Sequence, residues 1–155
     1  MKKFLVILAV ALTPFIIGSC EEDADSGPDL TIDIVGSYTG YLSLENNNGS
    51  NYLTDLTVKV TKVNNSTIMI EPSGQTDTHT FEAKLTKASD GVAMEIKEQD
   101  VMGGSLIGYN EQTPEIHGGL ATEGIEEGET SFFYSLKVDL SGYTEYRIFM
   151  GTPVE

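Results

Sequence analysis

The side chains able to do chemistry are few and scattered. Cys20 is the single cysteine of the 155-residue chain, so it has no internal disulfide partner, and a free thiol is out of place in an oxidising compartment. It ends an oily run. Lys2 and Lys3 precede an apolar stretch from Phe4 to Ile17, broken only by Thr13 and Pro14, and Gly18-Ser19-Cys20 follows. A basic start, a short greasy centre and small residues before a cut are the three parts of a secretory signal peptide. At 14 residues the stretch falls short of the ~20 that cross a bilayer as a helix. Residues 1–19 therefore read as a removable leader.

The remaining candidates do not assemble. His79 and His117 are the two histidines, without a cysteine, an HExxH pair or a His-x-His spacing beside them, so no metal site is expected and both read as structural or surface residues. Glu123, Glu126, Glu127 and Glu129 around "GIEEGET" offer calcium-type oxygens but lack the alternating acids and fixed glycine of an EF-hand, and read as a solvated loop. Ser105 in "GGSLIG" is followed two residues on by Ile107, so it is no nucleophile elbow. Carboxylates are too numerous for any pair to stand out as a glycosidase dyad. With no catalytic constellation and no cofactor motif, the chain reads as a binding protein and not an enzyme.

The tetrad Ile17-Gly18-Ser19-Cys20 resembles the lipobox of bacterial lipoproteins. That resemblance implies a diacylglyceryl group on the Cys20 sulfur and an acyl chain on its nitrogen, making the membrane the first expected partner. One chain binds a bilayer marginally, at about 0.8 kcal/mol per buried methylene, and several anchor stably. The alternative is ordinary secretory cleavage. Glu21, Glu22, Asp23 and Asp25 follow at once, and mutually repelling acids bury nothing, so residues 20–30 read as a solvated tether. An acidic stretch in this position is similar to the export signal of surface-exposed lipoproteins of Gram-negative gut anaerobes, which implies an outer-membrane protein facing the cell exterior. As a plain spacer it leaves the periplasmic face open.

Charge narrows the partners. The chain carries 24 acidic and 9 basic residues for a net −15, and loss of the leader lysines Lys2 and Lys3 makes it more acidic still. Such a field disfavours nucleic acid and anionic lipid headgroups.

From Thr31 to Glu155 the sequence reads as one all-β domain. Phe81, Ala83 and Leu85 alternate with Glu82, Lys84 and Thr86; Leu56, Val58 and Val60 with Thr57, Lys59 and Thr61; Phe132, Tyr134, Leu136, Val138 and Leu140 with Phe133, Ser135, Lys137 and Asp139. Period two marks half-buried strands. Turns rich in Asn, Gly and Ser separate them. Strands are expected near 36–45, 54–63, 66–71, 78–86, 92–98, 104–121 (broken by a turn), 131–140 and 143–150. About eight short antiparallel strands in an up-and-down meander can close into a barrel, which removes exposed edges; a β-sandwich uses the same local signals.

"IVGSYTGYLSL" followed by "LTVKVTKVNNSTIMI" resembles the calycin-like β-barrel lipoproteins of Gram-negative gut bacteria. The resemblance implies a lipocalin-like barrel, with Gly36-Ser37-Tyr38 in place of a Gly-x-Trp and Arg147 as the aromatic's late-strand partner. The expected interior comprises Tyr38, Leu42, Phe81, Met94, Ile96, Phe132, Tyr134, Leu136, Tyr146, Ile148 and Met150. Such bulk favours a filled barrel. Any remaining cavity would suit a small apolar ligand, oriented by the Tyr134 and Tyr146 hydroxyls. A filled barrel would instead meet a protein or glycan through its loops or the outer aromatics Tyr41, Tyr52 and Phe133.

Overall fold

The computed structural model describes residues 27–74, 79–89, 91–123 and 127–155. The leader, Cys20 and the acids Glu21, Glu22, Asp23 and Asp25 lie outside these residues, as does Glu126. Every regular element among the described residues is a strand: β1 (Gly36–Asn46), β2 (Gly49–Asn64), β3 (Thr67–Ser73), β4 (Phe81–Ala88), β5 (Gly91–Glu95), β6 (Gln99–Val101), β7 (Gly104–Gly108), β8 (Gly118–Glu123), β9 (Glu127–Leu140) and β10 (Tyr143–Pro153). The region expected as one broken strand over 104–121 is two, β7 and β8. The three residues of β6 are too few for alternation to reveal them.

Strands β1 to β5 pair in sequence order, β5 then pairs β8, β8 pairs β9, and β9 pairs β10. All of these pairings are antiparallel, and β10 returns to β1, from Tyr38 opposite Pro153 to Asn46 opposite Glu145. The result is a closed ring of eight strands, not evenly spaced about an axis, an architecture between a barrel and a β-sandwich. Closure leaves no free edge among these eight. The meander departs from sequence order once. The β6–β7 hairpin intervenes between β5 and β8, and β7 pairs the last part of β9, Gly104–Gly108 against Leu136–Leu140.

Two local devices set the register. In β2, Thr54 and Asp55 stand against the single residue Tyr41 of β1, and Asp55 adopts φ 60°, the left-handed conformation of a bulge. The extra residue lets Leu53 as well as Leu56 turn toward the core. Where β1 meets β10, Gly40 lies opposite Gly151. A methyl group on Gly40 would run into the Met150 carbonyl and the Gly151 Cα, so only glycine permits this closing pair.

The inner faces fill the ring with aromatic rings. Tyr38 stacks on Phe132 at 4.6 Å between centroids, Tyr134 stacks on Phe149 at 5.3 Å, and Phe81 meets Tyr134 edge-on at 5.2 Å. The end bearing the β1–β2 and β9–β10 hairpins is the upper end. At the lower end the chain before β1 closes the ring: Ile34 is fully buried and its carbonyl accepts the Tyr38 hydroxyl at 2.8 Å. Burial pushes that hydroxyl up to about 12. Packing starts slightly before Thr31, because Leu30 packs against the core and donates its amide to the Asn65 carbonyl. Asp29 clamps the segment. Its carboxylate accepts the Lys62 ammonium at 2.6 Å and both the amide and the hydroxyl of Thr31.

Gly40→Ala should cost about 1–3 kcal/mol by overpacking, whereas Gly36→Ala, where a methyl group meets nothing within 4 Å, should leave the denaturation midpoint unchanged. The Lys62 contact, then those from Thr31, hold the Asp29 carboxyl at about 2, below the ordinary 3.8. A depressed carboxyl contributes stability above its unfolded value and loses it as pH falls through the folded one. The clamp should therefore persist through pH 4 and release near pH 2, read by the Asp29 carboxyl carbon shift in NMR. Asp29→Asn should lack that titration and show the released Leu30 and Thr31 amide signals already at pH 7.

Candidate functional site

The inner face of the upper end is built by β9 and β10. Leu140 stands opposite Tyr143 across a two-residue turn, Ser141-Gly142, with Gly142 at φ 106°. Residues opposite one another in an antiparallel pair share a face. Tyr134 therefore brings Phe149 inward, Leu136 brings Arg147 and Val138 brings Glu145. This corrects the expected interior: Ile148 is 46% exposed and Tyr146 and Met150 are half-buried on the outer face. Tyr134 is inside as expected, but Tyr146 is not, so the two hydroxyls do not converge on one ligand. Period-two reading chose the wrong face because Tyr146, Ile148 and Met150 are the more apolar set.

What occupies their place is an ion pair. Arg147 Nε donates to Glu145 Oε1 at 2.6 Å, with each side chain only 10% exposed. The guanidinium lies among apolar neighbours, with Leu44 and Leu136 opposite it on the flanking strands. Beside it is a void of about 10 Å³, also bordered by His79, Phe81, Leu106 and Tyr134, room for roughly one water. Desolvation holds the Tyr134 hydroxyl well above the usual tyrosine range, with the Arg147 charge pulling in the other direction. Arg147 does not partner Tyr38, contrary to the expected arrangement. Tyr38 lies opposite Pro153 and Arg147 opposite Leu44, which separates them by roughly 20 Å along β10 at ~3.3 Å per residue.

His117 is a structural residue. Its Nδ1 accepts the Ile96 amide at 2.8 Å, and Nε2, the nitrogen then left to carry the proton, donates to the Pro114 carbonyl at 2.8 Å. Its own amide donates to Met94 and its carbonyl accepts from Ser135. The ring lies where a methyl group on Gly108 would sit. This knot reinforces the narrowest seam of the ring, where β5 and β8 share two paired positions, Ala93 with Gly119 and Met94 with Gly118. A second seam is completed by a side chain: the Gln99 carboxamide accepts from the Glu82 amide and donates to the Glu82 carbonyl, both at 2.8 Å, in place of a strand residue. Neither contact leaves a periodic signal in sequence.

Outside, near the upper end, a groove of about 320 Å³ is bordered by Glu45, Asn46, Asn47, Lys137, Thr144 and Tyr146. Tyr109 packs on Tyr146, ring centroids 4.6 Å apart. A hydrogen bond to Glu111 raises the Tyr109 hydroxyl to about 12. Lys137 pairs with Asp139 at 2.7 Å, and Asp139 also accepts the Thr144 hydroxyl at 2.6 Å. These contacts hold the Asp139 carboxyl below its ordinary value and the Lys137 ammonium above its own. Of the expected outer aromatics, Tyr52 is 68% exposed; Tyr41 and Phe133 are half-buried, the Tyr41 hydroxyl resting on the Met150 sulfur. Among the described residues no three His, Cys, Asp or Glu side chains gather as metal ligands. No family model, curated protein or solved structure matches this chain.

Glu145→Leu should destabilise the domain by about 1.5–3 kcal/mol by removing a charge-assisted hydrogen bond from buried Arg147, whereas Glu145→Leu combined with Arg147→Met should recover much of the loss. A urea denaturation cycle over the four variants measures the coupling.

Proposed function

We propose that this protein is a lipid-anchored, non-catalytic interaction module of the outer membrane, facing the cell exterior, which recognises a protein or glycan partner with its outer surface. The observation that carries surface recognition is the tight packing of the described interior residues. A void of about 10 Å³ stands far below the ~300 Å³ at which small-molecule pockets begin, so the filled-barrel reading is preferred over capture of a small apolar ligand. The lipid anchor rests on Ile17-Gly18-Ser19-Cys20, and export to the exterior on Glu21, Glu22, Asp23 and Asp25. The closed ring of eight strands supports the calycin-like resemblance of the first two hairpins.

Recognition on this reading belongs to the upper end. The groove at Tyr146, Glu45 and Asn47 lies there, as do the exposed side chains Tyr52, Met102 and Tyr143. Aromatic side chains flanked by amides and carboxylates serve protein and glycan partners alike, presenting an apolar face and hydrogen-bonding groups together.

Two measurements test the proposal. Metabolic labelling with an alkyne fatty acid should mark the chain and fail to mark Cys20→Ala, with surface protease cleaving it on intact cells. Affinity purification from detergent-solubilised envelopes should recover a partner that is lost with Tyr146→Ala and Tyr52→Ala together. A lone monomer from envelopes, combined with a rise in melting temperature on adding fatty acids, would reverse the choice in favour of an apolar ligand.

A further inference from the structure

The chain before β1 docks at one end of the ring, and that fixes which end an anchor at Cys20 must face. Leu30 is held by the Asn65 carbonyl, Asp29 by Lys62, and the Gly27 carbonyl by the Asn65 amide. Only seven residue steps separate Cys20 from Gly27, a reach of at most about 25 Å at 3.3–3.6 Å per residue. Acylated at Cys20, the domain cannot turn its lower end far from the lipid, whatever path those residues take.

That same end carries exposed aliphatic side chains. Ile32 is 74% exposed and Val35 43% exposed, both in the segment that closes the ring. Val63, 49% exposed, precedes the Asn64 and Asn65 turn that receives Leu30. Val154, 52% exposed, follows β10 and donates its amide to Ser37. Four aliphatic residues from three stretches of chain therefore lie at the end from which the tether leaves. The upper end exposes Tyr52, Met102 and Tyr143, with Ile107 beside the Lys137 of its groove, so aliphatic side chains gather more densely at the lower end.

Resting on the anchoring proposed above, we infer that the lower end is a membrane-seating surface: Ile32, Val35, Val63 and Val154 rest in the lipid interface beside the acylated Cys20, and the upper end points away from the bilayer. Aliphatic side chains gain by leaving water for the headgroup and acyl boundary. A contact too weak to hold a free protein suffices here, because the tether makes it intramolecular and raises its effective concentration. Asp33 and Glu155, exposed at this end, face the same interface, and the β8–β9 connection from Glu123 to Glu127 lies at this end too, so a zwitterionic surface suits it better than an anionic one.

The chain contains no tryptophan, which allows single-probe tests. Full-length chain with its leader processed and Cys20 acylation verified by mass would be reconstituted, as Ile32→Trp and separately as Met102→Trp, in phosphatidylcholine vesicles carrying brominated acyl chains. Both positions are exposed, so neither probe disturbs packing. Emission from Ile32→Trp should be blue-shifted and quenched by bromine at least about two-fold more than that from Met102→Trp, as expected of a side chain in the interface. Anionic phosphatidylglycerol should reduce the difference. Equal quenching at the two ends, or stronger quenching at Met102→Trp, on a chain whose Cys20 is acylated would overturn the seating surface and leave the anchor standing. A chain whose Cys20 is unmodified would overturn the anchor and this inference with it.

Discussion

Facing residues of an antiparallel pair must lie on the same side of the sheet, and in this protein that constraint acts through β9. This strand pairs with β8 along its first part, β7 along its last part and β10 along most of its other edge. Its inner residues Phe132, Tyr134, Leu136 and Val138 are the least negotiable in the sequence, four large apolar groups in strict alternation. Once they face inward, the inner set of β10 follows, and β10 positions β1 to close the ring. Aromatic stacking then ties the strands across the interior, since Phe132 meets Tyr38 of β1 and Tyr134 meets Phe81 of β4.

The two ends of the ring are finished by different chemistry. Below, main-chain hydrogen bonds from the segment at Leu30, together with buried Ile34, seal the core with apolar material. Above, the seal is ionic, Glu145 against Arg147. A buried pair gains from attraction in a low dielectric but costs desolvation, and is often no more stable than apolar residues of the same shape. Its presence is therefore poorly explained by stability alone. It keeps the upper end polar just inside the rim, where the loops meet water, while the long arginine stem still covers apolar surface.

Much of this was legible in the letters. The alternation of Phe81, Ala83 and Leu85 or of Leu56, Val58 and Val60 declared both the strands and their faces, because one wet side and one dry side leave little freedom. Tyr134 was readable as an interior residue for the same reason. Tyr146 was not, although the signal existed: the Ser141-Gly142 turn pairs Leu140 with Tyr143, and counting outward from it places Arg147 opposite Leu136. Hydropathy within β10 outvoted that count. The excursion through β6 and β7, the Gln99 carboxamide standing in for a strand residue and the His117 knot were beyond reach, because each depends on contacts distant in sequence. The lipobox-like tetrad and the acids after it are legible only in sequence, since they precede Gly27.

The β10 ambiguity also shows what keeps the ring in register. Shifting β10 by one position would turn Tyr146, Ile148 and Met150 inward and release Glu145 and Arg147 to water, an exchange that hydrophobicity alone would favour. Two features oppose it. The two-residue turn at Gly142, with its positive φ, fixes the pairing count from one end. Gly151 lies where β10 passes close to β1, a methyl carbon there standing 2.9 Å from the Thr39 carbonyl oxygen; a shifted register would bring a residue with a side chain to that place. Register in β10 is therefore held by the turn at Gly142 and the close Gly40–Gly151 approach, and the polar pair stays inside because those two fixed points set which face turns inward.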